Sequence, residues 1–315
     1  MSTFTSFIRS APLTVIGSVT DRVAELTALD AVIRTPLPLS RRVGFVSLRG
    51  GSGTSTTAGY VANLLARRRS GPVLGVDASA GPAGMLWHSG LSSTAELRPS
   101  GRRRTARRFA DSVDGLPRTP SGLWSLRLAP AGSVSAPASS ASWWDSCSPI
   151  SRFFDLVVTD WGVRDARVDL AEAVAASHVV CVVARADRHT AEQAGAIVDA
   201  VREQENAPEV LIALVDVGGT AGASAPVVAE ATGAPVLTVP YDAARSAARP
   251  VPATALGTRT RVEYARLAAA VMESALVSAG SRAARVPARA VVAPDPAPAP
   301  AVPVPGRRRR TEEDR

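Results

Sequence analysis

The chain has 315 residues, of which 46% are hydrophobic and 4% aromatic, enough for one large α/β core or two small ones. It has no apolar run long enough for a spanning helix, and residues 1–10 lack the basic-then-apolar order of a secretory signal. Two cysteines cannot form a disulfide framework, and three scattered histidines argue against a zinc or iron site. We therefore expect a cytoplasmic protein that is at most peripheral to membrane or nucleoid.

The net charge of +8 is concentrated in two clusters of arginine, and the chain contains no lysine. Either cluster could bind nucleic-acid phosphates or acidic surfaces through non-specific electrostatics. The alternative is a solvated loop and a solubilising tail in an arginine-rich chain, which the absence of lysine favours. The clusters are Arg102, Arg103, Arg104, Arg107 and Arg108, and Arg307 to Arg310.

Residues 1–40 form a first zone with one amphipathic helix. Its apolar residues recur at steps of three and four, which places them along one helical face, and Pro36 and Pro38 then end the helix. Packing on its own domain is the favoured interpretation, ahead of docking to a partner or membrane. The stripe is Val15, Ile16, Val19, Val23, Leu26, Leu29, Val32 and Ile33.

Residues 41–278 alternate short apolar runs with helical stretches. This pattern predicts an α/β fold of three layers, in which a mostly parallel sheet carries helices on both faces. The segment 97–151 is the least regular and is expected to be an insertion with loops. The predicted strands are 43–48, 73–77, 123–128, 155–160, 178–184, 210–215 and 235–239, and the predicted helices are 55–69, 168–176, 191–203, 225–231 and 261–276.

Residues 279–315 form a tail of Ala, Pro, Val and Arg. Seven prolines between 287 and 305 oppose a helix there, and the composition predicts an extended, disordered tail.

A glycine-rich turn lies between the first predicted strand and its helix. It reads Arg49-Gly50-Gly51-Ser52-Gly53-Thr54-Ser55-Thr56-Thr57. Glycines let successive amides curl around phosphate oxygens, and the helix N-terminus adds its positive dipole end. The sequence therefore predicts a nucleotide-phosphate site formed by residues 49 to 56. A Rossmann site is disfavoured, because Thr56 stands where a third glycine is needed.

Three later motifs occur in the order of the ParA/MinD family. They are Val73 to Ser79, which resembles the strand before Asp-x-Asp; Asp155 to Asp160, which resembles the Walker B strand; and Val239-Pro240-Tyr241-Asp242, which resembles the late Pro-Tyr-Asp signature. Together with the turn, they make residues 41–276 similar to the deviant Walker A P-loop ATPases of that family. The lead-in from Val32 to Pro38 further resembles the actinobacterial MinD-like proteins associated with type VII (ESX) secretion.

The resemblance implies ATP and Mg²⁺ as cofactors and a nucleotide-dependent homodimer. Its implied Mg²⁺ residues are Ser55, Asp77 and Asp160, and its implied adenine side comprises Pro240 and Asp242. Arg49 stands where the family has a signature lysine that crosses the dimer interface. The family's outputs are chromosome partitioning, division-site placement and positioning of large assemblies, so a protein partner in such a system is expected.

Two departures concern hydrolysis. Thr54 replaces the Walker lysine, which removes a cation from the phosphoryl group, and Ser79 replaces the second aspartate of Asp-x-Asp, which in the family helps position the attacking water. We therefore expect a pseudo-ATPase that holds nucleotide better than it hydrolyses it. The alternative is a scaffold or non-enzymatic nucleoid-binding protein with a relic loop. Membrane recruitment through the N-terminal helix is disfavoured, because Arg22 is its only cation.

Overall fold

A seven-stranded, wholly parallel sheet is the centre of the computed structural model, which describes residues 19–91, 105–128, 136–165, 169–204, 206–246 and 250–285. The strand order is β3-β2-β4-β1-β5-β6-β7. The fold class predicted from the sequence is confirmed. The strands are β1 (Arg41–Ser47), β2 (Val73–Asp77), β3 (Trp124–Arg127), β4 (Leu156–Val163), β5 (Val179–Arg185), β6 (Glu209–Val215) and β7 (Val236–Val239).

Helices cover both faces of this sheet and complete a three-layer architecture. One face packs against α1, α2, α3 and α10, and the opposite face against α5 to α9. Among the described residues, no helix is long and apolar enough to cross a membrane. The helices are α1 (Val19–Arg34), α2 (Thr54–Arg68), α3 (Met85–His88), α4 (Phe109–Ser112), α5 (Ser140–Ser146), α6 (Ser148–Ser151), α7 (Leu170–Ala175), α8 (Arg188–Arg202), α9 (Ser224–Glu230) and α10 (Thr258–Arg285).

The strands are almost uniformly apolar because both of their faces are buried. In β5, Val179, Cys181 and Val183 pack towards α2 and α10, while Val180 and Val182 pack towards α8. This alternation fixes which side chains at the strand ends lie on the α2 face, and it matters for the site below.

The N-terminal helix is packed along only part of its predicted stripe. Ile33 is buried, whereas Val19, Val23 and Leu26 are exposed. The Arg69 guanidinium donates to the carbonyl oxygens of residues 33 and 35, at 2.8 and 2.9 Å, and anchors the C-terminal end of α1. The predicted stripe residues 15 and 16 lie outside the described residues.

The element boundaries differ from the prediction mainly at the chain's less regular segments. Within 97–151, the structure has three short helices (α4, α5 and α6) besides β3. The last helix, α10, continues to Arg285, beyond the predicted domain end at 278. The remainder of the tail, from 286 on, lies outside the described residues.

Candidate phosphate-binding site

The turn between β1 and α2 forms an open cradle of backbone amides. Gly51 and Gly53 have φ of 72° and 80°, in the left-handed region that favours glycine. A Cβ added at Gly50 or Gly51 would meet no atom within 4 Å, so the turn is open above these residues. Within the described residues, the amides of residues 50–56 donate no hydrogen bond to the protein; the first that does is Thr57, to the Gly53 carbonyl at 2.9 Å. Such a run of unpartnered amides suits an anion.

Hydrogen bonds beneath the turn hold this cradle in place. The Ser52 and Ser47 hydroxyls both donate to the Arg49 carbonyl, at 2.9 and 3.2 Å. A Cβ at Gly53 would lie 3.2 Å from the Val215 side chain, so the turn rests against the end of β6. The cradle is therefore pre-formed by the strands beneath it.

Thr54 and Thr56 supply no charge to the cradle. Thr54 is only 6% exposed, so the position that the sequence equates with the Walker lysine carries a small, buried hydroxyl. The Thr56 hydroxyl lies 3.1 Å from Nε2 of His88 in α3. The exposed Arg49 guanidinium instead contacts Nε2 of His189, at the start of α8, at 3.0 Å.

Asp160 and Asp77 lie side by side, because β4 and β2 pair in register at these two residues. Asp160 is fully buried. One of its oxygens accepts the Gly162 amide at 2.9 Å, the other accepts the Met85 amide at 3.2 Å, and the Ser55 hydroxyl also bonds to it. Burial, and next the neighbouring Asp77 charge, raise the pKa of Asp160 to about 7, although these three hydrogen bonds oppose the shift.

Asp77 is held just as completely by the protein. Its Oδ1 accepts the Ser79 hydroxyl at 2.7 Å and the Ser79 amide at 3.2 Å. Its Oδ2 accepts the Leu86 amide at 3.4 Å and lies 3.9 Å from the Arg127 guanidinium. Burial raises the pKa of this carboxyl, while the bonds from Ser79 and the charge of Arg127 lower it.

The three residues predicted to bind Mg²⁺ are thus brought together, but their oxygens face protein donors. A carboxylate has about four acceptor positions, and both oxygens of Asp77 and Asp160 already accept hydrogen bonds. Mg²⁺ requires octahedral oxygen ligands and keeps several waters, whereas Asp160 and Asp77 are only 0% and 3% exposed. Among the described residues, no group of three or more His, Cys, Asp or Glu could hold a metal. The arrangement does not fit Mg²⁺ bound directly to these carboxylates.

Helix α3 supplies these donors, and sequence reasoning did not identify it. It has only four residues, Met85–His88, too few to show a helical period. The residue in the sequence that marks this close approach is Gly84, where a Cβ would lie 2.1 Å from Oδ2 of Asp77. A glycine is therefore required where the chain passes the carboxylate.

The predicted adenine side, Pro240 and Asp242, lies in the loop after β7. Asp242 accepts hydrogen bonds from the amides of Gly257 at 2.8 Å and Ala244 at 3.0 Å, so it organises its own loop. Arg245 donates to the carbonyl of Pro240 and, at 2.9 Å, to that of Asp216. These bonds join the ends of β6 and β7. Since β6 also supports the turn through Val215, the loops that follow β6 and β7 lie at the same edge of the sheet as the cradle.

Two members of the first arginine cluster are described. Arg107 and Arg108 are exposed, and their backbone amides donate to Oδ2 of Asp111 at 3.3 and 3.2 Å at the start of α4. Arg102, Arg103 and Arg104 lie outside the described residues.

The parallel sheet has a glycine-rich turn after β1, Asp160 on the neighbouring strand β4 and Asp77 on β2 beside it. These features define a P-loop fold of the ParA/MinD type. Solved structures agree. A ParA family ATPase from Chlorobium tepidum aligns with a TM-score of 0.51 at 16% identity, over 78% of this chain and 100% of its own. The cell division ATPase MinD of Pyrococcus furiosus aligns with a TM-score of 0.55 at 15% identity, over 75% of this chain and 98% of its own.

MinD from Aquifex aeolicus gives a similar result, with a TM-score of 0.53 at 13% identity, over 72% of this chain and 95% of its own. At these identities the likeness establishes the fold alone. No family model matches the chain, and no curated protein sequence matches it.

Proposed function

We propose that this protein is a ParA/MinD-like nucleotide-binding switch that binds ATP with weak or absent hydrolysis. The observation that carries the proposal is the run of unpartnered amides at residues 50–56, held open at the N-terminus of α2. Backbone donors and the helix dipole provide much of phosphate recognition in such a turn, and both are retained here.

Weak hydrolysis follows from what surrounds the cradle. Phosphoryl transfer depends on electrostatic stabilisation, and Thr54 provides only a buried hydroxyl. A charged hydrogen bond contributes about 1.5–3 kcal/mol, so its loss weakens nucleotide binding roughly 10- to 150-fold. The Ser79 hydroxyl donates to Asp77, so Ser79 has no carboxylate with which to position an attacking water.

The switch acts, in this proposal, through a homodimer whose formation depends on nucleotide, with Arg49 reaching the partner's phosphates. In the structure, the Arg49 guanidinium is exposed and contacts only the exposed His189 ring at 3.0 Å among the described residues, so it is available for such a contact. The output is positioning or regulation of a large assembly, such as a type VII secretion system, a division site or a chromosome. In this proposal the protein acts in the cytoplasm and is at most peripheral to membrane or nucleoid.

Titration calorimetry with ATP and ADP tests the proposal directly. We expect saturable binding at millimolar nucleotide or below, and no detectable binding would reject the switch in favour of a relic loop in a scaffold. A Gly51→Val variant, which puts a branched side chain at a left-handed position in the cradle, should abolish binding. A Gly233→Ala variant is the control, because Gly233 also has a positive φ (67°) but lies in the loop before β7.

Restoring the missing groups tests the explanation for weak hydrolysis. The triple variant Arg49→Lys, Thr54→Lys and Ser79→Asp should raise phosphate release above that of the wild type. If the variant folds and binds ATP but its turnover stays at the wild-type level, the loss of these groups is not what limits hydrolysis.

Non-specific DNA binding is the second candidate, favoured by the exposure of Arg107 and Arg108. Binding through phosphates should fall steeply with ionic strength, because each contact releases counterions. We expect replacement of these two arginines by Gln to reduce the slope of log affinity against log salt by about 1–2. An affinity that is insensitive to salt would exclude this function.

A further inference from the structure

Each of the two carboxylates behind the phosphate cradle accepts three hydrogen bonds from the protein itself. Asp160 accepts two amides and the Ser55 hydroxyl, and Asp77 accepts two amides and the Ser79 hydroxyl. Both side chains are nearly or wholly inaccessible, at 0% and 3% exposure. Main-chain amides and hydroxyls therefore occupy most of their acceptor positions, and Arg127 lies 3.9 Å from Asp77, in the place where a P-loop enzyme uses a metal ion.

Helix α3 packs against both carboxylates. The amides of Met85 and Leu86, in its first turn, donate to Asp160 and Asp77 at 3.2 and 3.4 Å. Gly84 leaves no gap, since a Cβ there would lie 2.1–2.6 Å from three atoms of the Asp77 carboxylate.

Arginines at the rim of the cradle provide positive charge. β5 lies beside β1, and Arg185 at its end pairs with Val215, the residue whose side chain is 3.2 Å from the Cβ position of Gly53. Alternation along β5 places Arg185 on the same face as Val183, which is the α2 face. Its side chain is 50% exposed and held only by Asp187 at 3.9 Å among the described residues. The second rim cation is Arg49, at the start of the turn, which in the proposed homodimer reaches the phosphates held by the other subunit.

We infer that this protein binds the polyphosphate of a nucleotide without a divalent cation, with Arg49 and Arg185 balancing the charge that Mg²⁺ and the Walker lysine would otherwise balance. The inference rests on the proposed function, which supplies the nucleotide. The inference goes beyond the proposed function by naming the residues whose positive charge balances the phosphates. Guanidinium groups suit this role, because they stay ionised and present paired donors to phosphate oxygens.

Calorimetric titration of ATP into the full chain, once with excess Mg²⁺ and once with excess EDTA, tests the inference. We expect dissociation constants within about threefold of each other. Binding that occurs with Mg²⁺ but weakens tenfold or more in EDTA would overturn this inference and leave the switch intact. Absence of binding in both buffers would overturn both proposals.

A measurement without nucleotide provides a second test. A titration of Mg²⁺ alone should leave the melting temperature unchanged, because no open carboxylate site binds it. A rise in melting temperature that saturates with Mg²⁺ and disappears in Asp77→Asn would overturn the inference.

The role of the arginines is tested in EDTA with single substitutions. Arg185→Gln and Arg49→Gln should each weaken ATP binding about tenfold or more, as expected for a lost charged hydrogen bond. Arg34→Gln is the matched control, because Arg34 has a similar exposure of 56% and one carboxylate partner but lies at the end of α1. Unchanged affinity in both rim variants would overturn the assignment.

Discussion

A single methyl group at Gly84 should destabilise the protein, and the structure allows the effect to be worked out. Gly84 has φ −73° and ψ −175°, a conformation that alanine adopts freely, so Gly84→Ala introduces no backbone strain. Its Cβ would nevertheless lie 2.1 Å from Oδ2 and 2.4 Å from Oδ1 of Asp77. That carboxylate cannot simply rotate away, because it is buried and bonded to Ser79, Leu86 and Arg127.

The expected cost combines two effects. Overpacking a well-filled site costs about 1–3 kcal/mol, and the loss of one charged hydrogen bond costs about 1.5 kcal/mol at the low end of its range. Gly84→Ala should therefore lower the free energy of unfolding by about 2.5–4.5 kcal/mol. At about 2–4 °C per kcal/mol for a domain of this size, the melting temperature should fall by roughly 5–18 °C.

Urea denaturation followed by circular dichroism measures this change. Gly218→Ala is the control, because a Cβ there meets only the Thr220 hydroxyl at an ordinary 3.5 Å, and it should alter stability by less than about 0.5 kcal/mol. If Gly84→Ala were as stable as this control, the close contact between α3 and Asp77 would be refuted, and with it the saturation of the carboxylates.

Three further changes have defined outcomes. Burial lowers the pKa of His88 to about 4, so between pH 6.5 and 4 only the unfolded chain takes up a proton at this residue. As the pH is lowered through that window, the free energy of unfolding should therefore decrease by up to about 1.4 kcal/mol per pH unit, and by less in His88→Gln. Arg164→Met removes the guanidinium that donates to the carbonyl oxygens of Trp161, Ala78 and Ala138, of which Ala78 keeps the Ala138 amide as a donor, and should cost roughly 2–6 kcal/mol in urea denaturation. Arg69→Met should accelerate amide hydrogen exchange across residues 19–34 at least about tenfold, with little change in β5.

The order of the elements could be predicted from the sequence because it depends on local patterns. Continuous apolar runs such as 178–184 form strands only when both faces are covered, and the alternation with helices then requires a parallel sheet. The turn at residues 49–57 was likewise readable, since Gly51 and Gly53 stand where left-handed backbone is needed. The missing cation at Thr54 is a statement of residue type, which needs no coordinates.

The state of the carboxylates was decided by tertiary structure. One of the amides that donate to Asp160 lies 75 residues away in sequence. It belongs to a helix of four residues, which is too short to show a helical pattern of apolar residues. Arg185 reads as an ordinary strand-end residue until the strand order places β5 between β1 and β6. The exposure of Val19, Val23 and Leu26 on α1 could not be predicted either, because an apolar stripe does not specify how much of its length packs against another element.

The sequence by itself therefore determined the alternation of strands and helices, the glycine-rich turn and the absence of a cation at Thr54, because each is encoded within a few consecutive residues. Only the tertiary structure decided that the two aspartates accept hydrogen bonds from main-chain amides, and that Arg185 at the end of β5 lies beside Val215, which supports the turn. The physical reason is that hydrogen-bond saturation and charge balance depend on which distant segments meet. No pattern along a single segment records that meeting.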